Sequence, residues 1–181
     1  MKSLKTPLRY PGGKSRACTK MDPYFPDLRD YKEYREPFLG GGSVAIHISK
    51  KYPKLNIWVN DLYEPLHNFW CILRDKSSEL HEVLKEYKSI HSTPELAREL
   101  FTQMKIEVGD KENDYLHRAA AFYVVNKCSF SGLTESSSFS QQASVSNFSM
   151  RGIDKLPEYG KIIKDWKITN TRYQELLTDD K

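Results

Sequence analysis

Apolar residues recur at helical spacing along most of this chain, and the places where that rhythm breaks divide it into elements. Val44, Ile46 and Ile48 predict a helix over Ser43–Lys51, and Leu66, Phe69, Trp70 and Leu73 share one face of a helix over Glu64–Arg74, with Pro65 in its first turn. Leu55–Val59 (LNIWV) is a short apolar run bounded by Pro53 and Asn60-Asp61, the pattern of a buried strand, and Tyr34–Glu36 is a brief extended segment. Lys14–Lys20 can open a short helix. Strand, helix, strand, helix is the order of a parallel α/β sheet.

The pattern then turns wholly helical. Ser78–Tyr87 and Thr93–Val108 read as amphipathic helices, the second entered through Thr93 as N-cap and Pro94 behind it. Asn113–Asn126 is a third, with Leu116, Ala119, Ala120, Tyr123 and Val124 inward. Helices in succession without strands suggest a helical insertion. The α/β order resumes with a helix over Lys155–Lys164, a strand over Trp166–Thr169 and a helical turn over Arg172–Leu177.

Composition narrows the class. With 181 residues, 39% hydrophobic and 12% aromatic, the chain can build the core of one domain or of a domain with an insertion. A mean hydropathy of −0.65 and the absence of a long apolar run argue against a membrane span, and Met1–Tyr10 lacks the apolar stretch of a signal peptide. Three scattered cysteines, Cys18, Cys71 and Cys128, suit a reducing cytoplasm better than a disulfide framework or a zinc site. The net charge of +4 is mild, yet its distribution is uneven. Met1–Met21 has no acidic residue, and the Ser-rich stretch Lys127–Arg151, with Phe130, Phe139 and Phe148, has Glu135 as its only acid.

Two glycine segments carry candidate chemistry. Glu36–Gly42 (EPFLGGG) lies between a strand and a helix, where backbone N–H groups can approach a ligand closely and the helix N-terminus favours negative charge. Asp61, one strand–helix unit later, stands where an acid can accept from a ribose diol. The alternative is a tight turn followed by a helix-capping Asp. Pro11-Gly12-Gly13-Lys14 forms a second glycine turn, with Tyr10 offering an aromatic face and Lys14 a point charge; the alternative there is an N-terminal turn with solvated lysines.

Arg9–Lys14 (RYPGGK), Glu36–Gly42 (EPFLGGG), Asn60–Leu66 (NDLYEPL) and Asn126–Leu133 (NKCSFSGL) together resemble the adenine-N6 DNA methyltransferases of the Dam/D12 class, in order and spacing, over nearly the whole chain. The resemblance implies an α/β fold: a partial Rossmann-like sheet that binds S-adenosyl-L-methionine, with an inserted, mainly helical target-recognition subdomain. It divides the chain into core segments 1–74 and 154–181 and an insert at 75–153. It implies cofactor contacts at Tyr10, Pro11, Gly12, Lys14, Glu36, Pro37, Phe38 and Gly40, and ribose binding by Asp61. It further implies contacts to double-stranded DNA at Lys127, Phe130, Ser131, Gly132 and Thr134, with Phe130 as the aromatic that wedges into the stack when adenine flips out. A packing role for Phe130 is the alternative. Ser131 stands where the family has Asn, and Glu135 where a base-reading Arg is common, so the family's target sequence does not transfer. The Ser-rich 134–149 segment is expected to be a mobile loop that orders on DNA.

One family motif is missing. Asp-Pro-Pro-Tyr, which holds the target amino group and stacks on the flipped base, does not occur; Asp22-Pro23-Tyr24 lacks the second Pro and does not follow a buried strand. The expectation is therefore an N-terminal methyltransferase portion, inactive alone, with the Tyr34–Glu36 strand at a sheet edge that is exposed or covered by a second chain completing the sheet. A non-catalytic remnant binding S-adenosyl-L-methionine or DNA, and a truncated product without function, are the competing readings. The setting implied is the cytoplasm of a bacterial or phage-infected cell, in restriction–modification, phage protection or regulation.

Overall fold

A computed structural model describes residues 4–14, 17–132 and 136–178. Three short strands form one parallel sheet in the order β1 (Glu33–Glu36), β2 (Asn56–Asn60), β3 (Lys167–Thr169). Glu33 stands opposite Asn56 and Glu36 opposite Val59, while Trp58 faces Lys167 and Asn60 faces Thr169. The ends of β1 and β2 are thus level, with β3 ending beside them. β1 is an outer strand of half-buried residues, and no strand among the described residues pairs with its other edge.

The helices preceding and following β2 are those the apolar spacing predicts. A short helix α1 (Cys18–Met21) comes first; Ser15 and Arg16 of the expected Lys14–Lys20 helix lie outside the described residues. Helix α2 (Ser43–Lys51) buries Ala45, Ile46 and Ile48, and α3 (Glu64–Asp75) buries Leu66, Phe69, Trp70 and Leu73 completely. Asp22-Pro23-Tyr24 is a 3-10 turn whose carboxylate holds His47 at 2.7 Å and Lys51 at 2.8 Å, so it fastens the turn to α2. Those two partners, Lys51 foremost, keep the Asp22 carboxyl below its ordinary pKa.

The helical stretch comprises α4 (Ser77–Ile90), α5 (Pro94–Glu107), α6 (Tyr115–Cys128), α7 (Gln141–Ser146) and α8 (Met150–Ile153), and α9 (Leu156–Ile163) leads into β3. Helix α6 starts where Asp114 accepts from the N–H groups of Leu116 and His117, at 2.9 and 3.0 Å. It is apolar on every side from Ala119 to Val125 and lies buried between α3 and α5. One continuous hydrophobic core joins the β2 residues Ile57 and Val59 to α3, α4, α5, α6 and α9. His117 on α6 bonds both Tyr87 on α4, at 2.9 Å, and Glu107 at the end of α5, tying three helices together.

The Ser-rich stretch corrects an expectation. From residue 136 to 149 it is folded: Ser140 Oγ caps α7 by accepting from Ala143 N–H at 3.2 Å, and Ala143 and Phe148 are buried. Hydrophobic anchors override the serine composition there. Leu133, Thr134 and Glu135 lie outside the described residues.

Candidate functional site

The two glycine segments meet beyond the C-terminal ends of the strands, where open α/β sheets place their ligands. They enclose a cleft of about 200 Å³ lined by Tyr10, Pro11, Gly12, Gly13 and Lys14 on one side and by Glu36, Phe38 and residues 39–44 on the other. Seven of the nine residues expected to touch the cofactor are therefore brought together: Tyr10, Pro11, Gly12, Lys14, Glu36, Phe38 and Gly40. Pro37 and Asp61 do not line the cleft. They flank it, and their contacts show why.

The Asp61 carboxylate braces the loop. One oxygen accepts from Gly40 N–H at 2.9 Å and the other from Tyr63 N–H at 3.0 Å. The Pro37 carbonyl accepts from Asn60 Nδ2 at 3.2 Å, and the same amide nitrogen donates to Thr171 O at 3.0 Å. Asn60 Oδ1 also accepts from Thr169 Oγ1 and Thr171 N–H, each at 2.9 Å, so one buried amide joins the ends of all three strands. Asn60 was not among the expected contacts; a polar residue closing an apolar strand is the one hint of it in the sequence.

The absence of side chains is what lets the two loops touch. A Cβ on Gly40 would sit 2.9 Å from the Tyr10 ring, and one on Gly41 2.9 Å from Tyr10 Cβ. Thr6 Oγ1 donates to Gly41 O, holding the N-terminal segment against the second loop. Burial, aided by the nearby Asp61 charge, raises the Tyr10 phenol above its ordinary pKa. The Lys14 ammonium folds back to donate to Gly12 O at 2.8 Å, so in this structure it closes its own turn.

Glu36 is the electrostatic centre of the cleft. Its carboxylate accepts from Tyr34 Oη at 3.1 Å and from the Ala45 backbone N–H in the first turn of α2. No cation among the described residues pairs with it. Burial outweighs both hydrogen bonds and pushes its pKa up to about 7. A carboxylate in that position suits a ligand that brings a positive charge of its own.

The second candidate region follows α6. Phe130 N–H donates to Ser138 O at 3.0 Å, and Ser140 N–H to Cys128 O at 2.8 Å, around a single antiparallel bridge between Ser129 and Phe139. The returning segment is fixed by Phe101, whose ring lies 5.6 Å from that of Phe139. This foot presents Phe130 with 66% of its surface exposed, whereas Phe148 is buried. Ser131 next to it is also exposed, and Gly132 is packed against Arg9. Lys127 is half-buried with its ammonium 5.2 Å from the Tyr123 ring centre, and no carboxylate among the described residues pairs with it; burial, with Arg9 nearby, brings its pKa down to about 8. Thr134 lies outside the described residues.

Ser131 has φ 58°, in the left-handed region that suits Gly and Asn better than Ser. Ser131→Asn is expected to stabilise the chain by a few tenths to about 1 kcal/mol. An upward shift of the urea midpoint with an unchanged slope would show it; no shift would mean that the turn carries no strain.

The sequence profile described as D12 class N6 adenine-specific DNA methyltransferase matches residues 10–181. A type II methyltransferase of Methanocaldococcus jannaschii, M.MjaIII, is 26% identical over 137 residues, covering 72% of this chain and 47% of that protein. A DNA N-6-adenine-methyltransferase of Escherichia phage P1 is 29% identical over 126 residues, covering 70% of this chain and 15% of that protein. The chain thus spans less than half the length of either relative. No helix among the described residues is long and apolar enough to cross a membrane.

Proposed function

Because the chain belongs to the D12 class of N6 adenine-specific DNA methyltransferases, we propose that it forms the cofactor-binding and target-binding portion of such an enzyme. The 200 Å³ cleft between the glycine loops is the site for S-adenosyl-L-methionine. The observation that carries this reading is Glu36, a half-buried carboxylate that lines the cleft and pairs with no cation among the described residues. The cofactor has an ammonium group and a sulfonium, and a cation of that kind compensates the buried charge. The side-chain-free faces of Gly40 and Gly41 are the second support, since backbone can approach a ligand there.

When bound, the cofactor supplies an electrophilic methyl group. The chain's own residues hold and orient it. Glu36 takes the ammonium, Tyr10 and Phe38 cover the apolar parts, and Asp61 keeps Gly40 N–H in position while offering its remaining lone pairs to the ribose. Residues 75–153 serve as the target-recognition part, in which Phe130 wedges into double-stranded DNA and Lys127 approaches a phosphate. The unstacking that accompanies extrusion of a base costs a few kcal/mol, and an exposed ring on a fixed foot offsets part of it. Transfer also needs the Asp-Pro-Pro-Tyr group, which this sequence lacks, so the 181 residues bind without turnover until a second chain or segment supplies it.

Isothermal titration with S-adenosyl-L-methionine tests the reading. Tyr10→Ala and Asp61→Ala are each expected to weaken binding by about tenfold or more, as expected when charge-assisted bonds worth ~1.5–3 kcal/mol or a covering ring are lost. Unchanged affinity in both variants would refute the site. Methylation of adenine-containing DNA by the isolated chain would refute the need for the missing motif.

A further inference from the structure

Asn126 joins the two candidate regions, and its position inside an apolar helix requires an explanation. The side chain is fully buried near the end of α6. Its Oδ1 accepts from Arg9 N–H at 3.0 Å, while its Nδ2 donates to Arg9 O at 2.6 Å and to Gly132 O at 3.0 Å. Both amide protons and the oxygen are used, so the amide orientation is fixed by its partners. Two further contacts close the same joint. Arg9 Nη1 donates to Ser129 O at 2.7 Å, and a Cβ on Gly132 would lie 2.6 Å from Arg9 Cβ.

The joint has a functional exit at each end. On one side Arg9 is followed by Tyr10, whose ring rests on Gly40 and Gly41 and forms a wall of the cleft. On the other side Gly132 ends the segment that carries Phe130. Moving either segment strands buried polar groups of the other, which costs about 1–3 kcal/mol per orphaned group. A ligand that orders one segment therefore lowers the ordering cost of the other.

We propose that Asn126 is a positioning residue that couples occupancy of the glycine cleft to occupancy of the Phe130 loop. This rests on the assignment of cofactor to the cleft and DNA to the loop. The coupling is reciprocal: each ligand tightens the other by the same factor.

The test uses the whole 181-residue chain. Affinity for S-adenosyl-L-methionine is titrated calorimetrically with and without saturating adenine-containing duplex, and affinity for the duplex is followed by anisotropy with and without cofactor. The unmutated chain should show matched enhancement of about fivefold or more. In Asn126→Ala the ratio should fall to near one while each separate affinity stays measurable, a result that general destabilisation does not produce. Retained coupling in that variant overturns the inference, as does an unmutated chain that binds both ligands with no enhancement. Failure to bind one ligand or both overturns the proposed function, and the coupling falls with it. If Asn126→Ala does not fold, hydrogen exchange on the unmutated chain decides. Duplex alone should slow the Arg9 amide and cofactor alone the Phe130 and Gly132 amides; protection confined to the segment each ligand touches overturns the inference.

Discussion

Glu36→Gln is expected to stabilise the chain at pH 8 by about 3 kcal/mol while weakening its hold on the cofactor. The carboxyl has its pKa pushed up from 4.5 to about 7, with burial as the main cause. Below pH 4.5 it is protonated whether the chain is folded or not, and it carries no penalty. Between pH 4.5 and about 7 the unfolded chain releases the proton and the folded chain keeps it, so stability falls as pH rises. Above about pH 7 the full cost is present, about 3 kcal/mol for the difference between the unfolded and folded carboxyl. Gln can still accept from Tyr34 Oη and Ala45 N–H, so the variant removes the charge and little else. Urea denaturation at pH 5 and pH 8 checks it: the parent should lose stability over that interval and the variant should not lose the same increment. Parallel curves for the two proteins would mean that water already solvates the carboxylate. The same logic predicts that cofactor affinity in the parent rises from pH 6 to pH 8, because ionised Glu36 is the form that pairs with a cation, and that this slope is absent from the variant.

Gly42→Ala is expected to cost about 2–5 kcal/mol, against about 1–2 kcal/mol for Gly12→Ala. Both glycines have positive φ, 66° at Gly42 and 71° at Gly12, so both substitutions pay the left-handed strain of ~1–2 kcal/mol. They differ in what a methyl group would meet. At Gly12 nothing lies within 4 Å, while at Gly42 the new Cβ would stand 2.7 Å from Cη2 and Cζ2 of Trp70. That indole is completely buried, edge-on to Phe69 at 5.8 Å and 5.9 Å from the Trp166 ring. It has nowhere to retreat, and overpacking adds about 1–3 kcal/mol. Chemical denaturation of the two variants side by side separates conformational strain from collision. Equal losses would show that Trp70 moves aside freely.

The elements legible in the sequence are those whose apolar residues repeat with a clear period. Ser43–Lys51 folds as a helix over just those residues, and the strands around Leu55–Val59 and Trp166–Thr169 were readable because turn residues bound short apolar runs. The convergence of Tyr10, Gly12, Glu36 and Gly40 on one cleft follows the two glycine turns, which meet at the same end of the sheet. Helix α7 was hidden by its composition. Its residues are mostly Ser and Gln, and what holds it is the Ser140 cap and the distant burial of Ala143 and Phe148. Asn60 and Asn126 both open motifs that carry the resemblance, but their bracing roles were hidden: each lies within or at the end of an apolar run, and its partners are mostly backbone groups brought near only by the finished fold. Asp61 stands beside the cleft with a bracing contact to Gly40 N–H that spacing alone does not reveal.

Trp70 has one further consequence. Its indole N–H donates to Gly40 O at 3.1 Å, directly behind the wall on which a ligand would rest. The other two tryptophans differ in setting. Trp58 is sandwiched by Arg35 and Lys167, with their charges 4.8 and 3.4 Å from its ring, and Trp166 donates to Ser49 Oγ at 2.8 Å. The protein thus carries an intrinsic fluorophore joined by one hydrogen bond to the glycine loop, and filling of the cleft is expected to change its emission against the background of Trp58 and Trp166.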